Sequence, residues 1–338
     1  MPFGIHRCAE EVFVRRMAMH TFQIGANDAG QRADKFLVKA CPHLPKSLLY
    51  KTFRKKDIKC NGKRIPAETF LQEGDVLTVY LPDDCFAGAP PKTKPAVMLP
   101  EPDVFYEDAQ IAVLRKPVNL PVHADDRGSS DTLQGRFLQY LAKSGAYRPE
   151  AEQSFTPALC NRLDRNTEGF VIGAKTASAL RTVNELIRNG CVKKQYLCIV
   201  CGMPPKKHDL VTAYHLREPG KKAVISNLPK NGFREIRTEY EVLQKRNDLA
   251  LLLVTLHTGR THQIRAQMAA LGCPLLGDAK YGNAEKNHRY HVPYQLLAAC
   301  RLLLEGNPDV LEAAGKQFAY VPDFCGEYGF DVPQDHTK

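Results

Sequence analysis

The sequence predicts two α+β units, a small basic unit followed by a larger one. Three observations support this division: helix and hairpin signals in a highly basic stretch near the start, a proline-rich segment after it, and strand-like and helical patterns that alternate from residue 103 to about residue 330. A chain of 338 residues with 43% apolar and 25% charged residues can form a sizeable core. This composition excludes a disordered or collagen-like chain.

The first 20 residues form an N-terminal extension with no clear structural signal. Charges interrupt every apolar run there, and the chain has no stretch of eighteen apolar residues, so we predict no signal peptide and no membrane partner. Eleven cysteines without framework spacing favour reduced thiols, and therefore a cytoplasmic protein. Met17 and Met19, just before a predicted strand at residues 21–24, are candidate start sites for translation.

Positive charge is concentrated between residues 31 and 64. The whole chain carries +10, and this stretch holds eleven Lys or Arg residues against two Asp, a net charge of +9. A local excess of this size indicates a polyanionic partner. The alternative is a solvated lysine face, which is the commoner meaning of a charge run.

Two helices and a small sheet are predicted within residues 21–82. Residues 33–39 have amphipathic helical spacing, and Ser47 is placed to cap a second helix. Asn61 and Gly62 separate two short strand-like runs and predict a tight hairpin, and residues 74–81 alternate as a closing strand. Six prolines among residues 82–102 then predict a semi-rigid linker, which we place at residues 83–102.

This basic stretch resembles the RNA-binding domain of ribosomal protein S-four, through its two basic helices and the sequences NGKRI and EGDVL. The resemblance covers about residues 30–82. It implies that exposed cations of this unit contact RNA: Arg32, Lys46, Lys51, Arg54, Lys55, Lys63 and Arg64.

The first candidate for chemistry in the larger unit is Asp164, in the sequence NRLDRNTEG. Arg162 and Arg165 flank it, and nearby cations keep a carboxylate ionised and able to act as a nucleophile. The alternative is a surface ion-pair cluster. A phosphatase would want a second acid at position 166, where this chain has Asn166, whereas a glycosidase would need a partner carboxylate such as Glu168.

The second candidate is the sequence LHTGRTHQIRAQMAALG, residues 256–272. Thr258 or Thr261 is predicted to cap a helix there. Apolar residues recur at helical spacing and a glycine ends the helix: Ile264, Met268, Leu271 and Gly272. Arg260, His262 and Arg265 crowd its beginning, where cations oppose the helix dipole and so favour an anionic partner. An ordinary helix with two arginines is the alternative.

Tyr196 lies in a third run, KQYLCIV, which predicts a strand. Alone it indicates only a half-buried aromatic side chain. Cys198 and Cys201 follow, but residues three apart on a strand point to opposite faces and no second cysteine pair follows. We therefore predict no metal site.

Together these motifs resemble those of the RluA-type RNA pseudouridine synthases. The matching sequences are, in order, RLDRNTEG before an apolar strand, KQY about thirty residues later, LHTGRTHQIR and GCPLLGDAKYG, with Lys116–Pro117 upstream. The resemblance spans nearly the whole chain. It implies a catalytic domain over residues 103–330, built on a mixed, mainly antiparallel sheet with the active site in a cleft across its middle. It also implies an isomerase that needs no cofactor.

Roles follow from motif position. The resemblance implies that Asp164 is the catalytic aspartate, that Tyr196 packs on the target base and can assist proton removal, and that Arg265 pairs with the catalytic carboxylate. Arg162 would enter the RNA helix where the target base flips out, and Ile264 would be the adjacent apolar contact.

The chain departs from the family pattern at three positions near Asp164. Asn161 replaces the usual His, while Asn166 and Glu168 replace Asp and Ser. We expect activity to survive, with substrate identity open. Ribosomal RNA of the large subunit is the first choice of partner and transfer RNA the second, and the resemblance implies a monomer. A non-catalytic RNA-binding or ribosome assembly protein on the same fold is the alternative function.

Overall fold

The computed structural model describes residues 17–86, 98–124 and 128–333. Residues 17–86 and 149–156 form one compact unit, and the other described residues form a second. Most of the predicted N-terminal extension and the central part of the predicted linker lie outside the described residues.

Residues 149–156, which sequence patterns assign to the larger unit, belong to the first. The Ser154 hydroxyl donates a hydrogen bond to Asp28 Oδ1 over 2.6 Å, and Gln153 Nε2 donates to Asp28 Oδ2 over 2.9 Å. Because Asp28 is itself buried, these contacts satisfy a carboxylate that would otherwise be costly to bury.

The first unit is a four-stranded antiparallel sheet with two helices, in the order β1-β4-β2-β3. Its elements are β1 (Met17–Gln23), α1 (Ala33–Ala40), α2 (Lys46–Arg54), β2 (Ile58–Cys60), β3 (Lys63–Arg64) and β4 (Val76–Pro82). Asn61 and Gly62 have φ angles of 51° and 76°. Two consecutive left-handed residues are what a tight hairpin turn requires, so the predicted hairpin is confirmed.

The predicted cap of α2 is wrong. The helix begins at Lys46 with Pro45 as its N-cap, and Ser47 lies inside its first turn. The Pro45 carbonyl already accepts the first helical hydrogen bond, from the Leu49 amide over 3.0 Å. Proline holds a φ of −62° at this position, and the start of the helix has no side-chain cap hydrogen bond.

The second unit is built on an eleven-stranded sheet. Its main path runs β11-β10-β12-β13-β9-β14-β8-β6-β5, with β15 paired to β14 and β7 to β8. The strands are β5 (Asp103–Glu107), β6 (Ile111–Lys116), β7 (Ala158–Leu159), β8 (Glu168–Ala174), β9 (Val192–Cys201), β10 (His208–Leu216), β11 (Val224–Ser226), β12 (Arg234–Arg246), β13 (Leu249–Leu256), β14 (Leu297–Leu304) and β15 (Gln317–Ala319). The helices are α3 (Leu133–Lys143), α4 (Ala177–Arg188), α5 (Gln263–Ala270), α6 (Ala284–Arg289) and α7 (Asp323–Glu327).

Every strand pair of this sheet is antiparallel except β8 with β14. The predicted mixed, mainly antiparallel α+β fold is therefore confirmed.

Strand β9 is buried on both faces. Cys198 packs in one apolar cluster with Met268 of α5, whereas Cys201 packs in another with Phe324 of α7. The two cysteines thus face opposite sides, as predicted. Among residues 17–86, 98–124 and 128–333, no group of three His, Cys, Asp or Glu residues is placed to hold a metal ion. None of the helices there is long and apolar enough to cross a membrane.

Gly169 permits the parallel pairing of β8 with β14. It pairs with Ala299 and has a φ of 122°, a backbone angle that residues other than glycine rarely adopt. A Cβ atom there would lie 2.3 Å from the Ala299 carbonyl oxygen. The position therefore requires glycine for its backbone angle and for its space.

We predict that Gly169→Ala lowers the free energy of unfolding by about 3 kcal/mol, because backbone strain and a clash with rigid backbone add together. Gly190→Ala is the matched control, since Gly190 has a φ of 72° but open space around it. That variant should lose only about 1 kcal/mol. Equal shifts of the two thermal midpoints would show that the contact with Ala299 contributes nothing.

Candidate active site

Asp164 lies in the loop between β7 and β8, and Asn161 fixes the start of that loop. Asn161 is buried; its Nδ2 donates to the Phe170 carbonyl over 3.2 Å and its Oδ1 accepts from the Ile172 amide over 2.8 Å. Both polar ends of the amide are thus used by β8. Asn161, which replaces the usual His of the family pattern, therefore binds the backbone of β8 and is not exposed.

Lys116, at the end of β6, fixes the other side of the loop. Its buried ammonium donates to the carbonyls of Pro117, Leu120 and Arg165, each over 2.8 Å. Burial lowers the pKa of Lys116 to about 7, against the opposing effect of the Asp164 charge. The residue after Asp164 is therefore held to the end of β6 by one side chain.

Arg265 of α5 binds the Asp164 carboxylate. Arg265 Nη1 donates to Asp164 Oδ2 over 2.7 Å. The same guanidinium makes a two-point contact with Asp278, from Nε over 2.7 Å and from Nη2 over 2.9 Å. The exposed fractions of these side chains are 22% for Asp164, 9% for Arg265 and 0% for Asp278. One buried cation thus joins two carboxylates, one fully enclosed and one that solvent reaches.

Burial and charge act against each other in this triad. Burial disfavours the charged form of Arg265, but hydrogen bonds and charge from Asp278 and Asp164 raise its pKa above the ordinary value. Burial likewise opposes ionisation of Asp278, yet the Arg265 guanidinium holds the pKa of this carboxyl below its usual range. Asp278 also accepts from the backbone amides of Lys280 and Tyr281. Both groups are therefore charged at neutral pH.

The prediction that Arg162 and Arg165 bind the Asp164 carboxylate is wrong, because neither forms an ion pair with it in the described part of the chain. Asp164 forms an ion pair with Arg265, and His262 Nε2 lies 3.7 Å from Asp164 Oδ2. Arg165 donates to the Ser129 hydroxyl over 2.7 Å, and Arg162 is exposed. Asp164 begins a turn in which the Thr167 amide donates to the Asp164 carbonyl over 3.0 Å, so proximity in sequence does not place the two arginine side chains on the carboxylate.

Tyr196 lies on β9 with 6% of its surface exposed. It packs in one apolar cluster with Ile264 of α5, and Leu163 lies against that cluster. Its hydroxyl forms no hydrogen bond within the part of the chain that the structure describes, and burial together with the Asp164 charge raises its pKa. Ile264 is also buried, so it forms part of the wall behind Tyr196 and offers little surface of its own.

His262 and Tyr281 also belong to this site. The sequence pattern placed His262 only among the cations at the start of α5 and gave Tyr281 no role. His262 Nδ1 lies 3.0 Å from Tyr281 Oη, and His262 Nε2 lies 3.7 Å from Asp164 Oδ2. Burial lowers the pKa of His262 to about 4, so the ring is neutral near pH 7. Asp278 was missed as well. All three residues could have been found from their positions, because His262 lies in the matched motif THQIR and Asp278 and Tyr281 lie in the matched motif GDAKYG.

His262, and neither predicted threonine, is the N-cap of α5. Its φ is 58°, in the left-handed region. The Thr258 hydroxyl is bonded elsewhere, donating to Gln263 Oε1 and accepting from the Arg237 amide, each over 3.0 Å. This backbone turn directs the His262 ring back towards Asp164.

The cations predicted in the first unit fall into two groups. Arg32 forms ion pairs with Asp34 at 3.0 Å and with Glu68 at 3.3 Å. The others are exposed and form no ion pair among the described residues: Lys46, Lys51, Arg54, Lys55, Lys63 and Arg64. Only this second group offers free charge to a polyanion.

We predict that Asp278→Asn lowers the free energy of unfolding by about 3 kcal/mol at pH 7, because the buried Arg265 guanidinium loses the more buried of its two charged partners. The depressed pKa of Asp278 means that its stabilisation is present above the unfolded pKa of about 3.9 and is lost as the pH falls through the lower folded value. The difference between wild type and variant in urea unfolding should therefore shrink below pH 4. A difference that stays constant to pH 3 would contradict this electrostatic account.

Residues 110–270 match the family model described as RNA pseudouridylate synthase. A ribosomal large subunit pseudouridine synthase C of Vibrio cholerae is 32% identical over 274 residues, 79% of this chain and 82% of the relative. An uncharacterized RNA pseudouridine synthase of Aquifex aeolicus is 30% identical over 281 residues, 81% of this chain and 84% of the relative.

Among solved structures, the human RNA pseudouridylate synthase domain containing 4 matches with a TM-score of 0.54 and 23% identity. The match covers 69% of this chain and 95% of the human one. This likeness supports the fold. The similarity to curated relatives over about four fifths of both chains goes further: the chain belongs to the RluA-type RNA pseudouridine synthases and is an isomerase.

Proposed function

We propose that this enzyme converts uridine to pseudouridine in large-subunit ribosomal RNA, with Asp164 as the reacting carboxylate and with the target base flipped out of the RNA. The main support for this proposal is the 2.7 Å hydrogen bond between Arg265 and Asp164. The Arg265 guanidinium is itself bound by the buried Asp278. The choice of RNA rests on the curated relatives named for the ribosomal large subunit. Transfer RNA remains the second choice.

The reaction breaks the bond from the base nitrogen to the ribose and rejoins the base through carbon 5. Asp164 can attack the anomeric carbon, attack carbon 6 of the uracil, or act as a base on the sugar, and each route needs an ionised carboxylate. Arg265 binds one oxygen of the carboxylate and thereby orients the group. Solvent reaches Asp164, so the substrate has access to its free oxygen.

Tyr196 would stack on the uracil. Because its pKa is raised, its hydroxyl stays protonated near neutral pH. This favours stacking and proton relay over direct abstraction of the carbon 5 proton by a phenolate.

Arg162 would occupy the vacancy left by the flipped base. Flipping costs a few kcal/mol, and a planar guanidinium can stack between neighbouring bases. Arg162 is exposed and forms no ion pair with the described residues, so its charge is available to RNA.

The first unit would add affinity through the RNA backbone. The six predicted cations that are exposed and unpaired among the described residues can neutralise phosphates, which strengthens binding without selecting a base sequence. The described cysteines are all free thiols, which suits a reducing compartment such as the cytoplasm.

Formation of the new carbon–carbon bond expels the hydrogen at carbon 5 of uridine, so tritium release from RNA labelled there reports the reaction. We predict that Asp164→Asn lowers the rate of this release by about 10²–10⁴-fold, because the variant lacks the reacting carboxylate. The substrate is a large-subunit ribosomal RNA transcript, with a transfer RNA pool in parallel.

Glu168→Gln is the matched control, because it removes a carboxyl four residues from Asp164 that forms no ion pair with Arg265 among the described residues. Burial also raises the pKa of Glu168. Release that survives in Asp164→Asn would refute the proposed role. No release from either RNA by the wild type, with RNA binding intact, would favour the non-catalytic alternative.

We predict that replacing Lys51, Arg54 and Lys55 together by Gln weakens binding of the same transcript and makes it less sensitive to salt. Each lost phosphate contact lowers the slope of log affinity against log salt concentration by about 0.7–0.9. Arg32→Gln is the single-residue comparison, because Arg32 is already paired with Asp34. If the slope of the triple variant equals that of the wild type, α2 does not contact phosphates.

A further inference from the structure

The segment between β10 and β11, residues 217–223, brings positive charge to the site. It contains Arg217, Lys221 and Lys222 against one carboxylate, Glu218. Glu218 forms an ion pair with Lys221. Arg217 and Lys222 are exposed and form no ion pair among the described residues.

A chain of polar contacts connects this segment to Asp164. The Ala223 amide donates to Tyr281 Oη over 2.7 Å. Tyr281 Oη lies 3.0 Å from His262 Nδ1, and His262 Nε2 lies 3.7 Å from Asp164 Oδ2. The segment is thus fixed beside the carboxylate by side chains of the site itself.

Lys280 adds a further cation at the same place. Its ammonium donates to the Lys221 carbonyl over 3.3 Å, while the Lys222 ammonium lies 6.0 Å from the centre of the Tyr281 ring. Burial lowers the pKa of Lys280, and so do the charges of Arg217, Arg265 and Lys222.

The nearby carboxylates do not neutralise these cations. Asp164 and Asp278 are both bound by Arg265, and Glu218 by Lys221. Like charges gathered at one place repel each other, and a bound anion would remove that cost.

We propose that Arg217, Lys222 and Lys280 form a phosphate clamp that binds the RNA backbone on either side of the target nucleotide. This inference rests on the proposed function. A uridine whose ribose and base lie at Asp164 carries phosphates on its 5′ and 3′ sides, so anions must lie close to the carboxylate whenever substrate is bound. The clamp supplies positive charge beside Asp164, and the contacts through Tyr281 and His262 fix the position of the clamp relative to this carboxylate.

The experiment compares two double variants of the full chain. Arg217→Gln with Lys222→Gln removes two clamp charges. Lys206→Gln with Lys207→Gln removes the same number of positive charges at the other end of β10. The nine residues of this strand place that end roughly 30 Å from the clamp. All four side chains are exposed, so folding should be unaffected, and thermal midpoints check this.

Equilibrium binding of a large-subunit ribosomal RNA transcript is measured at several salt concentrations, and tritium release is measured on the same RNA. We expect the clamp variant to bind about tenfold more weakly. The slope of log affinity against log salt concentration should fall by about 1.5, for two lost phosphate contacts. The control should retain the affinity, slope and release rate of the wild type.

Equal affinity and slope in the two double variants would overturn the phosphate clamp. The binding comparison decides this even if the wild type releases no tritium, in which case the proposed reaction fails separately. Loss of release in the clamp variant with binding and salt slope unchanged would also overturn the clamp, since phosphate binding must appear in affinity.

Discussion

The site depends on one buried guanidinium shared by two carboxylates. Removing a cation and two anions from water costs several kcal/mol per ion, and only close, directional hydrogen bonds offset that cost. Arg265 supplies them, at 2.7 Å to Asp164 and at 2.7 and 2.9 Å to Asp278. Because Asp278 is fully enclosed and Asp164 is not, Asp278 fixes the guanidinium inside the protein, and the guanidinium in turn holds a carboxylate that solvent reaches.

Sheet topology explains how distant parts of the chain reach this guanidinium. In the main path of nine strands, β9 is the fifth, and β14 separates it from β8. The loop before β8 carries Asp164, β9 carries Tyr196, and α5 packs on the same face of β9. The site therefore lies near the middle of the sheet. Gly169 maintains this arrangement, because only a residue without Cβ lets β8 run beside β14 at that point.

Local features were predictable from sequence, and long-range contacts were not. The Asn61–Gly62 hairpin follows from backbone conformations that few residues adopt, and the end of α5 from apolar spacing and Gly272. The helix caps were misjudged because α2 begins after Pro45, which puts Ser47 inside the first turn, and because the Thr258 hydroxyl is bonded elsewhere. The partner of Asp164 is 101 residues away, so charge order along the chain favoured the wrong arginines. Only family resemblance indicated that Arg265 pairs with Asp164.

Net charge alone does not distinguish cations that build the protein from cations that can bind RNA. Lys116, Arg265 and Arg32 are engaged by carbonyls or carboxylates, so their charge is used in folding. Arg162 and Arg217 are exposed without an ion pair in the described part of the chain. A cation that lacks an internal partner keeps its hydration and counterions until a polyanion displaces them, and that release favours RNA binding. The cations available to a polyanion are therefore the unpaired ones, which occur in both units and not only in the basic stretch near the start.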